Sequence, residues 1–381
     1  MIGPDGGTLV LADGTTLEFP AGALSANTPV RITQSQVRSH DFGELFRPAA
    51  PYLDVDLGSV EPALPVTVRL AANAPDDAVM LAAHYDPATG RLEPLTLVEA
   101  TGSSVTVTAT QFSGLVAFAV PLAELPEVTD SGFRPGRDDW QFPNYGSVVA
   151  PGGHCNGQAI SMLWYYVERR TQGASPLYGL FDNNGDTHTP SVWQDDEDAY
   201  KLASMVQADA RTGEKNWRDS VAKDSGRAVF DAYRAWLALT RSPQVLYVYG
   251  ASGGHAVLVY RASRTKLYVA DPNFPGHLRT IPFDPDSGRL GPYSAKENAS
   301  AAEQSYTSFR FVAADLVVPW SKVSARWSEF DNHTIGDGIF PNTGVINLAI
   351  AAPTDADLGP LGTDFVVPSD TTALTYLPDG P

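Results

Sequence analysis

The chain holds one cysteine, Cys155, within the stretch GGHCNGQAISMLWYY. A cysteine attacks a carbonyl carbon as thiolate, and that form is favoured by the positive end of a helix and by a neighbouring imidazolium. Spacing supplies the helix. Ile160, Leu163, Trp164 and Val167 stand at i, i+3, i+4 and i+7, which predicts an amphipathic helix over about 155–170 that begins at the cysteine. Gly152 and Gly153 permit a sharp backbone approach, and the first amides of the helix are free to meet negative charge. The imidazole is sought among seven histidines. His255, in YGASGGHAVLVYRA, follows a glycine-rich turn and opens an apolar strand, a place from which a ring projects at the sheet rim. Asp271 ends the next strand, in KLYVADPNFPG, where Pro272 cannot continue the ladder. A hairpin of those two strands makes His255 and Asp271 neighbours, with Asn273 a rival for the same place. Thiol, imidazole and carboxylate so related form an activated nucleophile for acyl transfer. Each residue also has a structural reading: a free cysteine is commonly core, the histidine caps a strand, and the aspartate forms a turn before proline.

The elements that must position these residues fall in the second half of the chain. Further helices are predicted near 194–210 and 226–240, the latter with Phe230, Tyr233 and Leu237 on one face. Strands follow in QVLYVYG, HAVLVYRA, KLYVAD, RTIPFD, SFRFVAAD and LVVPW. Helices first and an antiparallel run of strands afterwards define an α+β domain over residues 140–325. Residues 1–124 carry short runs such as GTLVL, TTLEF, PVRIT, YLDVDL, PVTVRL, VMLAAHYD, SVTVTAT and LVAFAV between Gly, Pro, Asn and Asp turns, the pattern of an all-β sandwich. Residues 125–139, rich in Pro, Gly and acid, are expected to be a linker, and residues 326–381 a β-like extension or a fragment of a further module. The fold class is therefore multidomain, an all-β sandwich followed by an α+β unit.

Composition narrows the partners. At 381 residues, with 43% hydrophobic and 10% aromatic residues, the chain folds around more than one core, and no apolar run reaches the roughly 20 residues of a membrane-spanning helix. A net charge of −18, from 44 acidic against 26 basic side chains, repels nucleic acid and anionic lipid. A protein or peptide substrate is expected, with no nucleic acid and no membrane insertion. One cysteine makes neither an internal disulfide nor a zinc site of several thiolates, and no cofactor is expected. The opening residues lack the blocks of a signal peptide. Few lysines and many Thr, Gly, Asn and Asp residues suit an extracellular or cell-surface bacterial protein.

Two resemblances sharpen the reading. GGTLVLADGTTLEFPAGALSANTPVRIT and SSVTVTATQFSGLVAFAV resemble the two ends of the ZU-type β-sandwich of ankyrins, netrin receptors and bacterial surface proteins. Some members of that family cut themselves at His-Phe-Ser; here Gln111 stands at the histidine position before Phe112 and Ser113, and no self-cleavage is expected, because glutamine takes no proton from a serine at neutral pH. In the second half, GGHCNGQAISMLWYY with GGHAVLVY and DPNFPG resembles the papain-like cysteine peptidases, in chain order Cys155, His255, Asp271, and looks closer to secreted or surface-associated bacterial members and to the type that processes bacteriocin leaders than to the plant and lysosomal papains. That likeness implies a cleft between a helical subdomain and an antiparallel sheet, with His255 holding the thiolate and protonating the leaving amine while Asp271 orients the ring. It implies oxyanion donors at the Cys155 backbone amide and at a side chain upstream. Val149 occupies the place of the usual glutamine, and Asn144, favoured over Gln141, is the expected substitute. The resulting activity is cleavage of a peptide or isopeptide bond through an acyl-thioester. An amine acceptor in place of water would make the enzyme a transglutaminase-like acyltransferase, and loss of competence would leave a binding or adhesion module.

Other motifs carry less. His154 is expected to point away from Cys155 and shape the cleft, and Trp164, Tyr165 and Tyr166 to be helix core. Asp182, Asn184 and Asp186 alternate as calcium ligands do, but Trp193 stands where an acidic ligand is needed. The stretch reads as a polar loop, with Asp195 or Asp196 capping the next helix. His188 beside Asp186 lacks further zinc partners.

Overall fold

A computed structural model describes residues 1–110, 112, 114–181, 197–217, 226–251 and 253–340. Among them the chain forms three antiparallel sheets and five α-helices, a β-rich fold of more than one unit. The first sheet has the order β1 (Gly7–Val10), β2 (Thr16–Phe19), β6 (Val66–Ala71), β10 (Ser104–Ala109) and β9 (Thr96–Thr101). The second runs β3 (Arg31–Ser35), β5 (Tyr52–Asp56), β11 (Leu115–Pro121), β7 (Ala78–Asp86) and β8 (Arg91–Pro94), with β4 (Arg47–Pro48) also on β11. Leu17, Leu53, Val66, Val68, Val105, Val107 and Leu115 fill the core between them.

Strand β11 is buried along its whole length. Its alternate residues serve two cores: Leu115, Ala117 and Ala119 face into the sandwich, while Val116, Phe118 and Val120 join a second core with helix α3 (Gly226–Thr240). A strand covered on both faces has no reason to alternate apolar with polar residues, and LVAFAV does not.

The third sheet has the order β17 (Arg289–Leu290), β16 (Arg279–Asp284), β15 (Lys266–Ala270), β14 (Gly254–Ala262), β13 (Gln244–Gly250), β19 (Glu303–Phe311) and β18 (Tyr293–Lys296), with β12 (Thr129–Asp130) on β14. It too is covered twice. Leu246, Val248, Val257 and Val259 pack with Phe230, Tyr233 and Trp236 of α3. Val245, Tyr247, Ala256, Leu258 and Tyr260 pack with the layer of α1 (Cys155–Glu168), α2 (Glu197–Trp217) and α5 (Trp320–Asp331), whose Trp164, Tyr165 and Trp327 are core aromatics.

Three segments differ from their sequence reading. Residues 125–139 do more than link: Thr129 and Asp130 pair with Ala262 and Arg261, and Phe133 is fully buried. The charges of this stretch are matched locally, Arg134 to Asp130 and Arg137 to Asp138, which lets a polar segment lie on a core. LVVPW is not a strand, because Leu316 and Val317 lie in the short helix α4 (Ala314–Val317) and Pro319 caps α5. Helix α5 also continues through residue 326, where a β-like tail was expected, because Val323, Trp327 and Phe330 give it a buried face. Gln111, Ser113, Asp182, Asn184, Asp186, His188, Trp193, Asp195, Asp196 and residues 341–381 lie outside the described residues.

Candidate active site

Cys155 is the first residue of α1 and is partly exposed. The turn before it depends on Gly153, at φ 125°, where an added Cβ would come within 2.8 Å of Asn144 Oδ1. Asn144, fully buried, accepts the His154 N–H through Oδ1 and donates from Nδ2 to Glu297 O at 3.2 Å. Its amide thus fastens the loop ahead of the cysteine at both ends. Gln207 of α2 supplies the helix cap: its Oε1 accepts the N–H groups of Asn156 and Gly157 at 2.9 and 3.0 Å. The Cys155 amide is left with no acceptor among the described residues. Gly157 permits this arrangement, since a Cβ there would lie 1.8 Å from Ala203 O.

His255 and Asp271 meet as the hairpin requires. Leu258 of β14 pairs with Ala270 of β15, so the chain beyond Ala270 runs back beside the start of β14. His255 Nε2 donates to Asp271 Oδ1 at 2.7 Å, both side chains being fully buried. Asp271 is held by two further donors, the Asn273 N–H at 2.8 Å and the Tyr293 hydroxyl. Asn273 Nδ2 lies 3.2 Å from the same ring nitrogen but donates to Lys296 O at 2.8 Å. A ring nitrogen whose proton is given to Asp271 has no lone pair for a second donor. Of the two rivals for the third position, then, Asp271 takes the hydrogen bond and Asn273 flanks it.

Electrostatics follow the geometry. Burial by itself would lower the His255 pKa; the charge of Asp271 and then that of Cys155, with the hydrogen bond to Asp271, overcome it and raise it to about 10. Burial would likewise raise Asp271, but His255, the Tyr293 hydroxyl and the Asn273 N–H hold it below the ordinary carboxylate value. The second ring nitrogen, Nδ1, makes no well-aligned hydrogen bond among the described residues. Cys155 is therefore near enough to His255 to act on it electrostatically, without a hydrogen bond between thiol and ring. His154 is fully buried between the rings of Phe142 and Tyr200, and burial lowers its pKa to about 4, so it stands neutral beside the cysteine.

Val149 packs on the core next to α1, and Gln141 is buried beside Gly179. Gln207 comes from α2, Tyr293 from the start of β18 and Glu297 from just past its end, and no motif marks any of them in the sequence. No group of three His, Cys, Asp or Glu side chains placed to hold a metal ion occurs among the described residues, and no helix there is long and apolar enough to cross a membrane. No known family model matches the chain, and no curated protein matches it.

Proposed function

We propose that the chain is a cysteine peptidase of papain-like type, cleaving a peptide or isopeptide bond, with a ZU-type sandwich packed behind its catalytic half. One observation carries the reading: a partly exposed thiol at a helix start acts electrostatically on a buried imidazole whose far nitrogen is gripped by a carboxylate. The thiolate attacks the scissile carbonyl carbon, and the oxygen that becomes negative accepts the unpaired Cys155 amide. As the tetrahedral adduct collapses, the C–N bond breaks and His255 Nδ1 delivers its proton to the leaving amine. Water, deprotonated by the same nitrogen, then hydrolyses the acyl-thioester. Asp271 keeps the ring turned with Nδ1 toward the sulfur, and the Tyr293 hydroxyl turns Asp271. The substrate is a protein or peptide, met outside the cell or on its surface.

Incubation with a mixed peptide library, read by mass spectrometry, tests the proposal. Wild-type protein releases cleaved products and Cys155→Ala does not, whereas equal cleavage by both, or cleavage by neither, refutes it; a wild-type thiol that is then also inert to iodoacetamide at pH 6 leaves a binding module.

A further inference from the structure

Residues 296–299 cross the site from one limb to the other. Lys296 O accepts from Asn273 and Glu297 O from Asn144, while Asn298 Nδ2 donates to Gly152 O at 3.2 Å and the Ala299 N–H donates to Asn144 O at 2.8 Å. The Glu297 carboxylate hangs from this strap against the turn that enters β14. Gly253 has no Cβ where one would lie 2.7 Å from Glu297 Oε1. Its charge and that of Cys155 both act on the Tyr306 hydroxyl, whose ring centroid lies 6.1 Å from that of His255. Among the described residues the carboxylate meets no cation and no hydrogen-bond donor, and the adjacent Lys296 turns its ammonium to Ala299 O at 3.3 Å. On the cysteine side, Tyr145 and Val148 are exposed and apolar. A half-buried negative group on the strap that ties Asn144 and Gly152, ahead of the candidate nucleophile, to Asn273 beside His255, with no partner among the described residues, favours a ligand that brings a positive charge.

We propose that Glu297 is a specificity-determining residue that selects substrates with a lysine or arginine side chain next to the bond attacked by Cys155. This rests on the reading of Cys155 as nucleophile, so the test is divided. In the first arm the full chain is treated with two thiol reagents of equal size, a cationic trimethylammonium-ethyl methanethiosulfonate and an anionic sulfonatoethyl methanethiosulfonate. In each case the thiolate attacks the thiosulfonate sulfur, forms a mixed disulfide and expels methanesulfinate. The ratio of cationic to anionic rate falls by roughly three- to tenfold in Glu297→Gln and further in Glu297→Lys, while Glu61→Gln, an exposed carboxylate remote from the site, leaves it unchanged. An unchanged ratio in Glu297→Gln overturns the inference whether or not the protein cleaves peptides. In the second arm, cleaved peptides carry Lys or Arg beside the scissile bond, and Glu297→Lys shifts the preference to Glu or Asp. Cys155-dependent cleavage with no charge preference overturns the inference and leaves the peptidase reading intact, whereas a charge-selective thiol in a protein that cleaves nothing overturns the peptidase reading alone.

Discussion

Gln207 reaches Cys155 through the start of a helix, and its substitution separates packing from charge. Its Oε1 is the acceptor for two buried donors, the Asn156 and Gly157 N–H groups. Gln207→Leu keeps the volume and removes the acceptor. A buried donor left without a partner costs about 1–3 kcal/mol, and because Gln207 is 8% exposed and water reaches part of the gap, the loss for both together is about 2–3 kcal/mol. The first turn of α1 then loosens, and with it the direction of the free Cys155 amide. Gln207→Glu keeps both hydrogen bonds but places a negative charge at the helix end. Charge at a helix terminus is worth about 0.3–1 kcal/mol, so the carboxylate supports the helix while slowing ionisation of the thiol about two- to fivefold. Urea denaturation and the rate of iodoacetamide alkylation at pH 6 measure the two effects. The expected pattern is a less stable Gln207→Leu and a Gln207→Glu of normal stability with a slower thiol. A Gln207→Glu variant that alkylates as fast as wild type would show that the helix field does not ionise this sulfur, and an unshifted Gln207→Leu transition would remove the cap from the account.

In Asp271→Asn the charge that raises His255 is lost, so kcat for peptide cleavage falls by about a hundredfold to ten-thousandfold; Tyr293→Phe, which only loosens Asp271, costs less than tenfold. Gly157→Ala drives a methyl into Ala203 O, 1.8 Å from the Cβ position, and lowers the unfolding free energy by about 3 kcal/mol in urea titrations. Stability against pH has two limbs of opposite origin. His255, raised from 6.5 to about 10, stabilises fully below 6.5, and its contribution is lost as the pH climbs through 10. His154, lowered from 6.5 to about 4, is buried without penalty above 6.5, and its contribution is lost as the pH falls through 4. His154→Leu therefore removes that residue's acid loss between 6.5 and 4 in thermal denaturation and leaves the alkaline limb as it was; buried Asp139, raised from 3.8 to about 7, works in the opposite sense over that window, and the remaining acid loss comes from carboxylates held below their ordinary values, among them Glu168 from 4.5 and Asp271 from 3.8.

Cys155, His255 and Asp271 could be drawn together from sequence because each sits at the end of an element whose type is legible, and a hairpin has few geometries. Tyr293 and Gln207 could not. A hydroxyl meeting a carboxylate 22 residues earlier depends on how strand β18 is laid beside β19, and a helix cap supplied by another helix depends on the angle at which α1 and α2 cross at Gly157. Asn144 is an intermediate case: its place upstream of the cysteine is legible, while the engagement of both ends of its amide is visible only once the strap at 296–299 is in place. The helical spacing of Val323, Trp327 and Phe330 is present in the chain but is diluted by Gly, Pro and Asp residues that follow, and LVVPW reads as a strand because a short apolar run has no period of its own.

The two ends of α1 are secured by different parts of the molecule. At the first turn Gln207 and Asn144 hold the amides and the approach to Cys155. At the last turn stands Glu168, an acid where the helix dipole favours a base. Its carboxylate is matched from the sandwich by Arg91, which also donates to it at 3.0 Å, and from α5 by the Trp320 ring N–H at 2.7 Å. Arg91 and Glu168 are partly exposed, so their attraction adds little stability, but it fixes where the sandwich sits. Thr96 accepts the Ala313 N–H and Thr110 donates to Asp315 along the same seam. With α3 packed between β7 and the third sheet, the sandwich covers the back of the sheet that presents His255 and touches the far end of the helix that presents Cys155. Its contribution to the site is therefore rigidity: thiol and imidazole come from two elements, and the sandwich is fastened to both.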